Sequence, residues 1–132
     1  MHSYFIDTNY FLRLLLKDED KQFEIVYILF QKAMREEIAI FTSVVVFFEI
    51  YWVLSTFYQK NKQKSTELLV NILKMDFVDI EQREILKKAL FLFTKSSLDL
   101  EDCYNISLAK HKQIDHFATF DKKLNKEFLI IS

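Results

Sequence analysis

Ser3-Tyr4-Phe5-Ile6-Asp7-Thr8-Asn9 decides how this chain is read. An apolar run that reads as a short buried strand ends in an acid, and the pattern turns helical from Asn9 to Leu16. A strand that leads directly into a helix opens an α/β unit, and open α/β sheets bind ligands at the carboxyl ends of their strands. Asp7 therefore falls where such a sheet presents its chemistry. The same order recurs near the other end, where Phe117-Ala118-Thr119-Phe120 runs into Asp121.

Between these two acids the elements alternate. His2–Ile6 reads as a strand. Phe23, Val26, Tyr27, Phe30, Ala33 and Met34 keep helical spacing and predict a helix from Lys21 to Glu36, and Ile38–Phe41 reads as a buried strand. Ser43 is a candidate cap for a helix running to about Gln59, apolar enough to occupy the centre of the fold. Leu68, Leu69, Ile72 and Leu73 mark another helix, Phe77–Ile80 a strand, and Ile85, Leu86, Ala89, Leu90 and Phe93 the helix after it. Asp99-Leu100-Glu101-Asp102 opens a helix to His111 with a cap and an acid at its third position. His116–Thr119 and Phe128–Ile131 are expected to close the series as strands around a short helix, Lys122–Glu127. Strands alternating with helices imply a parallel sheet covered on both faces.

At 132 residues the chain has the length of one domain, 1–132, and its 51% apolar content with 14 Phe supplies a real core. A formal net charge of −1 argues against holding nucleic acid by global electrostatics, so any such contact is local. The single Cys103 excludes an internal disulfide and fits a reducing, cytoplasmic setting. No secretory signal is visible. Ile38 to Tyr58 is nearly apolar over one bilayer span, but Glu49 at its centre opposes insertion by about 2.5–3.5 kcal/mol, so no membrane role is expected. With no Gly and no Pro, turns rely on Asn, Asp, Gln and Lys, some at positive φ.

Glu49 is the only non-apolar residue between Val44 and Leu54, and a buried, unpaired carboxylate costs several kcal/mol, roughly, or loses its charge. It needs a cation, a hydrogen-bond cage or a raised pKa. Together with Asp7, Asp102 and Asp121 it forms an all-oxygen donor set of the kind preferred by Mg²⁺ and Mn²⁺. Four converging carboxylates also repel, so at least one is expected to have a raised pKa. Each acid has an ordinary alternative: Asp7 and Asp121 as helix caps, Glu49 paired with a buried cation, Asp102 complementing a helix dipole.

With Ile6-Asp7-Thr8-Asn9, an acid inside the third helix, Leu100-Glu101-Asp102 and Ala118-Thr119-Phe120-Asp121 in that order, the whole chain resembles the PIN domains and, more narrowly, the VapC-type toxins of bacterial and archaeal toxin–antitoxin pairs. The resemblance implies a PIN-like three-layer sandwich with a central parallel sheet of four to five short strands. It also implies an endoribonuclease whose acids Asp7, Glu49, Asp102 and Asp121 bind one or two Mg²⁺ or Mn²⁺ ions. Asp7, Asp102 and Asp121 are then direct or water-mediated ligands, and Glu49 a further ligand or an orienter of water. Thr8, Asn9 and Thr119 match supporting polar positions, and Asp99 is read as a cap with a supporting role. The departure is at Gln113-Ile114-Asp115, where the family often carries glycine.

Phosphodiester hydrolysis needs an activated water and charge relief on the phosphate, and a divalent metal supplies both. No Ser–His–Asp arrangement, Walker loop or zinc spacing competes, and the second Asp that a haloacid-dehalogenase-like phosphatase needs is Asn9 here. The implied partners are an RNA substrate (tRNA, rRNA or mRNA), a cognate antitoxin and a second copy in a homodimer. Phe11, Leu12, Phe23, Tyr51 and Trp52 are too many apolar side chains for one small core, which also points to an interface. Two other readings stand beside the toxin: a PIN nuclease of RNA processing without an antitoxin, and a catalytically inactive PIN fold used for protein binding. Lys110, Lys112, Lys122, Lys123 and Lys126 are either a solvated face or a guide for the RNA backbone.

Overall fold

Three short apolar runs in the first 82 residues become strands, and helices fill the chain between and after them. The computed structural model describes residues 1–131. The order is β1 (Ser3–Phe5), α1 (Thr8–Leu16), α2 (Asp20–Met34), β2 (Ala39–Thr42), α3 (Val44–Thr56), α4 (Lys62–Leu73), β3 (Val78–Ile80), α5 (Arg83–Lys95), α6 (Leu100–His111) and α7 (Lys122–Ile130). The chain divides into two compact units, Met1–Gln82 and Arg83–Ser132.

In Met1–Gln82 the sheet order is β1-β2-β3, all parallel, with Tyr4 opposite Ile40 and Phe41 opposite Asp79. Hydrogen bonds carry the ladder past the strand ends: Ile6 N donates to Phe41 O at 2.7 Å and Glu81 N to Thr42 O at 3.1 Å. Thr42 Oγ1 donates to Ile6 O at 2.9 Å. The carboxyl ends of the strands are thereby tied together, with Asp7, Ser43 and Glu81 the next residues along each chain segment. β2 and β3 bury Ile40, Val78 and Ile80, whereas all three residues of β1 are exposed, contrary to the buried strand expected there. β1 is an edge strand, paired only with β2 among the described residues, and Ile6 just beyond it reaches the core.

α1 buries Phe11 and Leu12, and the Phe11 ring meets Phe30 of α2 edge-on at 5.7 Å, which in turn meets Phe77 at 6.0 Å. Large side chains buried to this degree contribute about 1.5–3 kcal/mol each. α3 starts at its Ser43 cap, whose Oγ accepts from Val46 N at 3.1 Å, and a second brace comes from Glu81, whose Oε1 accepts from Val44 N at 3.0 Å.

In Arg83–Ser132, α5 and α6 pack through Ile85, Leu86, Ala89, Leu90 and Phe93 on one side and Leu100, Cys103 and Ile106 on the other. α7 buries Leu124 and Phe128, and Phe128 lies 5.2 Å from the Phe117 ring. The two closing strands do not form. Residues 116–119 carry no ladder, and Phe128 to Ile130 continue the helix that Asp121 caps, so the described sheet has three strands and not four to five. A short apolar run does not distinguish strand from buried helix. Here Leu124 and Phe128 are buried four apart while Leu129 and Ile130 are exposed, which is helical and not alternating burial.

Among the described residues five take positive φ: Lys17, Glu36, Gln59, Gln82 and Gln113. Lys17 ends α1 in the left-handed conformation, its N–H bonding Arg13 O. Such a residue costs on the order of 1 kcal/mol where glycine costs nothing. At φ 57° Gln113 takes the conformation that glycine favours, directly after α6 and in the segment where the resembled family often carries glycine. Neither Asn nor Asp is used in this way.

Candidate active site

The local sequence makes Asp7, Asp102 and Asp121 helix-start residues before they can be anything else, whereas Glu49 lies inside α3. Asp7 caps α1: its Oδ1 accepts from Thr8 N at 2.7 Å and its backbone oxygen accepts from Tyr10 N at 3.1 Å. The carboxylate is exposed, and Oδ2 accepts no hydrogen bond from any described residue. Thr8 is 2% exposed and its Oγ1 is buried with no hydrogen-bond partner, so the backbone N–H of Thr8 orients Asp7 and its hydroxyl does not. Asn9 is exposed beside Tyr10 and Arg13 on a shallow concavity. A second concavity of about 290 Å³ contains Asp7, the apolar side chains Tyr4, Phe5, Ile25 and Ile28, and Lys32.

Glu49 corrects the expectation of a buried acid. α3 turns Val46, Phe47, Ile50 and Leu54 into the core, which places Val45, Glu49, Trp52 and Thr56 on the opposite, exposed face. Water solvates its charge, so no buried cation or hydrogen-bond cage is required. The tertiary packing of this helix, apolar on nearly every side, chose which stripe was buried. Of the surplus apolar residues, Phe11 and Leu12 are fully buried, Phe23 and Tyr51 are half-buried, and Trp52 is 60% exposed. α3 is 13 residues long, and among the described residues no helix is long and apolar enough to cross a membrane.

In the second unit Asp99 and Asp102 pair at the start of α6, and Thr119 and Asp121 pair at the start of α7. Asp99 caps α6, accepting from Asp102 N through Oδ1 at 2.9 Å. Asp121 caps α7, accepting from Leu124 N through Oδ1 at 3.1 Å, while its own N–H donates to Thr119 Oγ1 at 3.0 Å. Asp102 is half-buried, and its pKa is raised. Loss of water is the main cause; the charge of Asp99, a hydrogen bond shared with Asp99, and the charges of Asp121 and Glu101 add to it. Burial and like charges both disfavour the ionised form. One expected raised pKa is thus present, at Asp102.

Glu81 escaped the sequence reading. It follows the Phe77–Ile80 run as Asp7 follows Ser3–Ile6, and the strand-end acid was the signal that could have found it. Its carboxylate supports the start of α3. The donors Asp7, Glu49, Asp102 and Asp121 are all carboxylate oxygens, which suits a hard divalent cation. Among the described residues no group of three or more His, Cys, Asp or Glu stands at metal-site spacing.

A search of curated proteins gives no match. Among solved structures, VapC20 of Mycobacterium tuberculosis, described as a sarcin-ricin loop cleaving toxin, is similar at 14% identity over 93% of each chain, with a TM-score of 0.42. The PIN domain matches residues 4–127, a segment that runs through both compact units and takes in all four acids. On that match the chain belongs to the PIN domain family.

Proposed function

We propose that this protein is a metal-dependent endoribonuclease, a VapC-type toxin that cleaves cellular RNA (tRNA, rRNA or mRNA) and is neutralised by a cognate antitoxin. The observation that carries the reading is that Asp7, Glu49, Asp102 and Asp121 all fall inside the PIN-matched segment 4–127. Residues 1–132 then act as one nuclease domain. Bound Mg²⁺ or Mn²⁺ supplies positive charge to the phosphodiester and to the attacking water. Asp7, Asp102 and Asp121 hold the ion, and Glu49, exposed on α3, serves as a further ligand or orients water. Thr8, Asn9, Asp99 and Thr119 support them. Thr119 fixes the Asp121 backbone, Asp99 holds the start of α6 by accepting from Asp102 N, and the Thr8 N–H orients Asp7. Loss of water is the main cause of the raised pKa of Asp102, and the repulsion from Asp99, Asp121 and Glu101 that adds to it is what a bound cation would relieve.

The antitoxin reading is supported by the concavity beside Asp7, where Tyr4, Phe5, Ile25 and Ile28 are each at least 43% exposed and Lys32 adds a charge. An apolar segment of a partner covers such a surface. Trp52 and Val45 on the outer face of α3 suit the interface of a homodimer, and the setting is cytoplasmic. Purified protein should cut RNA with Mn²⁺ or Mg²⁺ and stop in EDTA, and induced expression should create new RNA ends that an Asp7→Ala variant does not. Activity that survives rigorous metal removal sinks the mechanism. Light scattering that shows only monomer, with no small partner recovered from the native host, counts against dimer and antitoxin. A second reading is a PIN fold used only for protein binding. Absence of Mn²⁺-dependent cleavage together with capture of a stable partner would select it.

A further inference from the structure

One concavity of the Arg83–Ser132 unit carries a charge opposite in sign to that of the acids in the same unit. It encloses about 550 Å³ between α5, α6 and Ile131. Lys87, Lys88, Lys95 and Lys110 line it with His111 at one end, and Glu84 is its single acid. Glu84 is engaged with Lys87 at 3.3 Å. The helical repeat explains the stripe: α5 buries Ile85, Leu86, Ala89, Leu90 and Phe93, so positions 84, 87, 88, 91 and 95 come out on the groove side. In a chain of net charge −1 this is a local concentration of positive charge.

Phe91, on the same stripe, is 62% exposed, so burial does not explain it. The Lys95 ammonium sits 4.2 Å from its ring centroid, and that of Lys110 sits 3.9 Å from the Phe128 ring. Aromatic faces hold both cations close to apolar surface, as cation–π attraction does. An exposed ring flanked by ammonium groups is the pairing that reads single-stranded nucleic acid: bases stack on the ring while lysines neutralise phosphates. Duplex RNA offers no free base face to such a ring.

We infer that the α5–α6 groove binds single-stranded RNA, with Phe91 stacking on a base and Lys88, Lys95 and Lys110 holding the backbone. The inference rests on the ribonuclease reading above and gives it a substrate-tracking surface apart from the acids. The probe is a fluorescein-labelled polyuridine RNA of about 15 nucleotides, within the footprint of single-strand binders, titrated by anisotropy with the full chain in EDTA. EDTA keeps cleavage out of the measurement.

Lys88→Gln/Lys95→Gln/Lys110→Gln should flatten the plot of log affinity against log salt by about 2, since each phosphate contact to a single strand contributes about 0.7. Phe91→Ala should weaken binding about tenfold with the salt slope unchanged, and Phe91→Tyr should restore it. Lys60→Gln/Lys64→Gln/Lys74→Gln, equal in charge change but in the other unit, should leave the slope within about 0.7 of wild type. Melting curves by circular dichroism establish that each variant is folded. Equal losses from both lysine triples, an unaffected Phe91→Ala, or duplex RNA binding as tightly as the single strand overturns the groove. If wild type cuts RNA and Asp7→Ala does not, while the groove variants bind normally, the groove fails and the nuclease stands. If no cleavage occurs but the groove variants lose binding as described, the nuclease fails and the groove stands.

Discussion

Asp7 and Asp102 are both acids at the start of a helix, but they are held in place by different means. In Met1–Gln82, Asp7 follows a strand whose register is tied to β2 by backbone hydrogen bonds, and the carboxylate itself lies open to water. In Arg83–Ser132 no strand is described, and Asp102 is placed by the Asp99 cap of its own helix, half-buried, with three other acids raising its pKa. The sheet fixes an acid with neutral amides at little electrostatic cost. The start of α6 gathers acids around Asp102 and disfavours its ionised form. If this contrast is right, substitutions in the two units should separate activity, stability and pH response.

The largest expected effect is on chemistry. Asp7→Asn and Asp121→Asn should each lower RNA cleavage in Mn²⁺ by about 100-fold or more, the scale of losing one electrostatic contact to the transition state. Cleavage kinetics on a defined RNA test it, and a variant within about threefold of wild type removes that acid from the site. Next is the metal: Mn²⁺ at a hundredfold excess over its Kd should stabilise the wild-type protein by about 2.7 kcal/mol, and by less at pH 5, where the proton that Asp102 holds more tightly opposes the metal. A melting temperature indifferent to millimolar Mn²⁺ would mean that the acid group of the second unit is a structural network.

Capping gives a smaller effect that separates the two roles of one residue. Asp121→Ala should cost about 1 kcal/mol through loss of the Leu124 N–H bond, whereas Asp121→Asn, an equally good cap, should cost little. Asp7→Ala against Asp7→Asn should repeat the pattern at α1. Chemical denaturation measures both, and equal loss from Asn and Ala would show that charge, not capping, stabilises the helix start.

The smallest expected effect is the pH dependence of Asp102. Its folded-state pKa is raised, so the folded protein holds this proton more tightly than the unfolded chain. Stability from this group is present below the unfolded pKa, near 4, and is lost as pH rises through that value to the folded one. Without metal, Asp102→Asn should therefore melt slightly higher than wild type at pH 7 and equal to it below pH 4. The α6 dipole, which favours an anion at this position, keeps the difference small. A variant less stable than wild type at pH 7 would mean that the dipole outweighs the repulsion.

Much of this was legible locally. Ser43, Asp99 and Asp121 cap the helices expected of them, and α1, α2 and α6 lie within a residue or two of their expected bounds. Capping and helical periodicity act over a few residues, so the sequence carries them openly. Glu49 was misplaced because α3 is apolar on almost every face, which leaves its phase unreadable from its own residues. The closing strands were misread for a related reason. In Phe128-Leu129-Ile130 only the burial of Phe128 beside Leu124 reveals a helical period.

By itself the sequence determined the acids, their order, the parallel α/β class and the helix starts, because propensity, capping and family motif are properties of short segments. Only the tertiary structure decided which face of α3 met solvent, that β1 was an exposed edge, that Gln113 took a left-handed turn without glycine, and that Asp102 lost enough water to have its pKa raised. Each of these depends on atoms distant in sequence that exclude water or bring charge, and no local pattern encodes that.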